Sequence, residues 1–116
     1  MLTMNEDLES AIVEYLKLLE AQEYFEAHEV MEEAWHPLRL RKDPIANLAK
    51  GLINAAITFE HIKRDRKNLK AKVQKVIASY ERHKHLCVED IRAYALFQKA
   101  CEEVEALKVV HREILS

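Results

Sequence analysis

At 116 residues, 49% hydrophobic and 33% charged, the chain fits one soluble globular domain of ordinary composition. Its formal net charge of −2 provides no overall basic field to collect nucleic acid or anionic lipid. One glycine and two prolines are too few for a sheet protein with many tight turns, so the expected fold is all-α, a single-domain bundle of about five helices over residues 1–116.

The N-terminal MLTMNEDLES is acidic where a signal peptide would be basic, and it holds no uninterrupted apolar core. Thr3-Met4-Asn5-Glu6 fits a capping box, with Thr3 as N-cap and Glu6 reaching back. Leu8, Ile12, Tyr15, Leu16 and Leu19 recur at helical spacing, which predicts a first helix to about Ala21. A second helix is expected from Tyr24 to His36, stopped by Pro37 and followed by a basic connector from Leu38 to Lys42. Asp43-Pro44 is a start signal for a third helix, which runs to about Lys63. Its apolar stretch, Ile45 to Ile62, is broken by Asn47, Lys50, Asn54 and Glu60 and is too polar to span a bilayer.

Arg64 to Asn68 reads as a turn. The fourth helix places Leu69, Val73, Val76, Ile77, Tyr80 and Cys87 on one stripe and ends around Leu86. Glu89 or Asp90 begins the fifth, whose broad face of Tyr94, Phe97, Ala100, Cys101, Val104 and Leu107 implies contact with several helices or across a homodimer. Cys87 and Cys101 form no C-x-x-C motif and are expected as reduced, buried thiols of a cytoplasmic protein.

The chemistry concentrates in the second helix, YFEAHEVMEEAWH. Advancing by about 100° per residue gathers Ala27, Val30, Met31, Ala34 and Trp35 into a core face with Tyr24 on its edge. Glu26 and Glu33 lie nearly opposite. Between these faces come His28, Glu32, Phe25, His36 and Glu29. A phenylalanine among acids implies that this sector is covered, and a covered carboxylate needs a cation, a donor or a metal. The third helix offers a surface, because Asn47, Lys50, Gly51, Asn54, Thr58 and His61 line up as a polar stripe. Gly51, unfavourable there by about 1 kcal/mol relative to alanine, marks close approach of a backbone or a ligand. The stripe is therefore expected to face His28, Glu29 and Glu32.

Tyr24 to Trp35, followed by Lys50-Gly51-Leu52-Ile53-Asn54-Ala55-Ala56 and His61, resembles the bacterial and archaeal family known as domain of unknown function 309. The first block matches its "YFEAHEvlEe.W" signature. The second resembles "QGLIQ.A…H", with Lys50 and Asn54 where glutamines are usual. After His61 the family often reads "RGN", whereas Lys63-Arg64-Asp65-Arg66 lacks the glycine. The resemblance implies an all-helical fold, and its members are commonly labelled metal-dependent hydrolases.

His28-Glu29-Val30-Met31-Glu32 is H-E-x-x-E, one change from the H-E-x-x-H of zinc proteases. In that arrangement His28, Glu32 and His61 would ligate a divalent metal and Glu29 would be the catalytic base, with Lys50 and Asn54 as candidate cofactor-binding residues. The substrate would be an unidentified small molecule. The competing reading is a non-enzymatic helical interaction module whose His/Glu cluster is a structural polar network. Glu33-Ala34-Trp35-His36 has the E-x-x-H spacing of di-iron bundles but no second copy exists. The Lys63–Lys75 segment lacks the interleaved aromatics of a nucleic-acid surface, and His83-Lys84-His85-Leu86-Cys87 reads as surface histidines beside a core cysteine.

Overall fold

The structure, a computed structural model, describes residues 4–65 and 67–116, with side chains from residue 7 onward. The capping box expected at Thr3 and Glu6 lies outside the described residues. The helices are α1 (Met4–Glu20), α2 (Tyr24–Leu40), α3 (Ala46–Arg64), α4 (Leu69–His83), α5 (Tyr94–Val110) and the short α6 (Arg112–Leu115), with a 3-10 turn at Lys84–Leu86. Among the described residues there is no strand, so the all-α expectation holds.

The central helix is α3. It packs most extensively against α4 and α2, while α1 lies against α2 and α5. Its buried positions, among them Leu48, Ala49, Gly51, Leu52, Ala55, Ala56 and Phe59, run most of the way around the helix. Small residues on several sides let neighbours approach closely on more than one face. Ile12 and Tyr15 from α1, Ala27 and Met31 from α2, Tyr80 from α4, and Phe97 and Val104 from α5 complete the core. Each large apolar side chain buried this way contributes roughly 1.5–3 kcal/mol. The buried Tyr15 hydroxyl donates to the Leu52 carbonyl at 2.7 Å, so a polar atom inside the core is satisfied.

Helix α2 does not stop at Pro37 but runs one turn further, to Leu40. Proline forfeits a single backbone donor bond and already has a helical φ. Leu38, 2% exposed, anchors that last turn in the core. The helix then ends in a Schellman arrangement: Lys42 N donates to Arg39 O and Asp43 N to Leu38 O. Asp43 was expected to cap the next helix, but α3 starts two residues later than Pro44, with Ile45 before it and no side-chain cap. Asp43 instead braces the preceding turn, its Oδ1 accepting from Ile45 N at 3.1 Å. That turn is closed by Ala46 N donating to Asp43 O, and the α-helix proper follows.

Helix α5 begins at Tyr94, later than the expected Glu89 or Asp90. Residues 87–93 form turns, and Arg92 pairs with Asp43, which Arg41 also contacts at 3.1 Å. Ala93 has a left-handed φ of 57°, which blocks earlier helical growth. Gln22, Lys42, Asp65 and Asn68 are also left-handed, with φ between 50° and 60°. None of these turn residues is glycine.

Candidate functional site

The first turn of α2 faces outward at Phe25, which is 45% exposed. The expectation that this sector is covered is therefore corrected. Tyr24 and Ala27 take the inward positions, which turns Phe25 to solvent. The ring of His28 supplies its nearest cover, edge-on at 5.0 Å between centroids. His28 Nδ1 stands 2.5 Å from the Phe25 carbonyl oxygen. A carbonyl only accepts, so Nδ1 carries the proton and Nε2 is turned toward Glu32. Nε2 lies 3.6 Å from Glu32 Oε2, with side-chain exposures of 17% for His28 and 44% for Glu32. Glu29, the candidate base, is exposed.

The stripe on α3 divides between two neighbours. A Cβ on Gly51 would lie 3.1 Å from Tyr80 Cα, so the close approach that the glycine permits is with the backbone of α4 and not with the His28 sector. Lys50 does reach α2, but at Trp35: its Nζ sits 4.4 Å from the ring centroid, and Arg39 approaches the same ring at 5.2 Å. Asn54 is half-buried, and its backbone carbonyl accepts from the Thr58 hydroxyl at 2.8 Å. His61 is half-buried further along α3.

The structure thus brings His28 and Glu32 together as a pair of donors. Among the described residues, no group of three or more His, Cys, Asp or Glu side chains is arranged to hold a metal ion. A structural or catalytic zinc takes three or four protein ligands, so this pair alone does not fit one.

Two other features were not legible in the sequence. Between α1 and α2 runs a groove of about 630 Å³, floored by Leu8, Ala11, Val30, Ala34, Pro37 and Leu38 and edged by Asp7, Glu14 and Glu33. Among the described residues, no lysine or arginine lines it. Between α4 and α5, Tyr80 donates to Glu105 Oε2 at 2.6 Å. Lys84 pairs with Glu81 at 2.9 Å and Glu105 at 3.5 Å, and Lys108 pairs with both acids. Burial pushes the Glu105 carboxyl upward, but the Tyr80 hydroxyl and Lys108 outweigh it and hold it below its ordinary range. Glu81 is likewise held low against its own burial by Lys108 and Lys84. The Tyr80 phenol moves up, through burial first and then its bond to Glu105. Glu81 with Lys84 and Glu105 with Lys108 are local i,i+3 pairs, but no sequence signal joins the two halves, because the contacts between them cross from one helix to the other.

No curated protein and no solved structure shows significant similarity to the chain. The family model of a domain of unknown function (DUF309) matches residues 12–73, from Ile12 in α1 to Val73 in α4. That is more than half of the chain and includes both signature blocks, the H-E-x-x-E turn and the Lys50–Ala56 segment. The chain belongs to the DUF309 family.

Proposed function

We propose that this chain is a non-enzymatic helical binding module, and that the His28–Glu32 pair is a structural element of α2. The observation that carries the reading is the α1–α2 groove, with its apolar floor and a rim on which the described residues place three acids and no bases. A groove of that chemistry fits an amphipathic helix with a lysine- or arginine-rich face, supplied by a partner protein. The contact between His28 Nδ1 and the Phe25 carbonyl supports the second half of the reading, since it ties the side chain to its own helix. In this reading the protein works in the cytoplasm, and nucleic acid and membranes are not its partners. The test is fluorescence anisotropy with a synthetic helix bearing leucine on one face and lysine on the other. Binding that weakens with salt and is lost in Ala34→Trp, which fills the groove, is the expected result. Equal binding of a leucine/glutamate helix would remove the reading.

A second reading, metal-dependent hydrolysis, draws on one observation. With Nδ1–H held by a backbone carbonyl, His28 turns Nε2 toward a carboxylate, the orientation a metal-ligating histidine adopts. His28 and Glu32 would ligate, Glu29 would serve as base and His61 would have to join them. Elemental analysis of untagged protein purified without chelator, beside Glu32→Gln, decides it. Near-stoichiometric metal lost in the variant would favour the hydrolase; metal-free wild type, unmoved in thermal midpoint by zinc or manganese, favours the binding module.

A further inference from the structure

Cys87 follows the 3-10 turn, outside any helix, while Cys101 lies in the second turn of α5. Both are free thiols and both are half-buried. They line the same open cleft of about 510 Å³, together with Tyr80, Lys84, Tyr94 and Glu105. Each lies near enough to the other to perturb its acidity. Two free thiols on one cleft, one of them on a turn that can adjust, can be brought to the separation that a disulfide needs. The cleft gives a small molecule access to them.

We propose that Cys87 and Cys101 form a dithiol site that low-molecular-weight disulfides oxidise to an intramolecular bridge. The Cys87 thiolate attacks one sulfur of the small disulfide. That S–S bond breaks, and the released thiolate takes up the proton that Cys87 gave up. Cys101 then loses its proton and attacks the Cys87 sulfur of the mixed disulfide, expelling the second small thiol, which takes that proton. The protein loses two hydrogens and two electrons, and the small disulfide becomes two thiols.

The order of attack follows from the surroundings. Burial above all, with Cys87 adding to it, pushes the Cys101 thiol up to about 12, so Cys101 keeps its proton. Burial raises Cys87 as well, but there Cys101 acts in the opposite direction, so Cys87 ionises more readily than Cys101. Cys87 is therefore the attacking sulfur and Cys101 the resolving one. The bridge would fasten the 87–93 segment to α5, as Arg92 already fastens it to Asp43.

The experiment uses the reduced full chain, incubated with oxidised glutathione and read by intact mass and by alkylation of remaining thiols. The expected product has lost two hydrogen masses, carries no glutathione, is monomeric in its cross-link and melts several degrees above the reduced form. Cys101→Ser should trap one glutathione on residue 87, whereas Cys87→Ser should leave Cys101 unmodified on the same timescale. Cys→Ala at each position repeats the comparison should a serine variant fold poorly, and the wild-type mass result needs no variant. Two separate glutathione adducts, a bridge between chains, or thiols that react only after unfolding would each overturn the proposal.

Discussion

Around His28, chemically capable side chains crowd into eight consecutive residues, yet the structure joins them by one short backbone contact and one loose ion pair. Around Tyr80, the partners come from helices whose contacting residues lie 25 positions apart, and they are joined by a phenol–carboxylate hydrogen bond and two lysines that each pair with two acids. Spacing on one helix reveals which residues share a face. It does not reveal what that face meets. The sector with the motif is open to water, where pairs of this kind contribute about 0–1 kcal/mol. The sector without a motif has the interlocked polar contacts.

Gly51 gives the sharpest way to break this contrast. Sequence placed it opposite His28, while the structure sets it against the backbone of Tyr80. Gly51→Leu should destabilise by about 3 kcal/mol, since a backbone neighbour cannot swing aside as a side chain can. Denaturant titration measures the loss, and hydrogen exchange should place the loosening along α4. Equal loosening of α2 would erase the distinction between the two regions.

A paired substitution gives a smaller effect. Glu105 has a depressed native pKa, so its contribution is fully present above the unfolded value near ~4.3 and is lost as pH falls through the native one. Glu105→Gln should lower stability at neutral pH by about 1 kcal/mol, a figure kept small by its partial exposure. The variant should also lose less stability than the wild type on acidification below about pH 4. Glu32→Gln, on the open sector, should change stability by less than about 0.5 kcal/mol. Urea titrations across that range check both, and wild-type and Glu105→Gln curves that stay parallel would count against the Tyr80–Glu105 cluster.

Much of the fold was written in the periodicity. The apolar spacing of Leu8 to Leu19 and of Val73 to Tyr80 marked helices that the structure contains. Asp43-Pro44 announced the third helix, which begins two residues later, after a turn that Asp43 braces. What failed depended on distant partners. Pro37 looked like a stop because the burial of Leu38 is a tertiary fact. The start of α5 was set too early because the left-handed φ of Ala93 has no glycine or asparagine to announce it. Phe25 was expected under cover because a helical wheel shows neighbours along one helix and not whether another helix lies over them. The cleft shared by the two thiols was invisible for the same reason, since Cys87 and Cys101 belong to no common motif.

The chain has one glycine, and it stands inside a helix. Among the described residues, left-handed turn positions fall to Gln22, Lys42, Asp65, Asn68 and Ala93. Asparagine and aspartate accept that conformation readily, but glutamine, lysine and alanine hold it against a bias of about 1–2 kcal/mol each. The thermodynamic headroom of this protein therefore lies at its helix junctions, away from the groove between α1 and α2. Evolution or a designer could raise its melting point there without touching that groove.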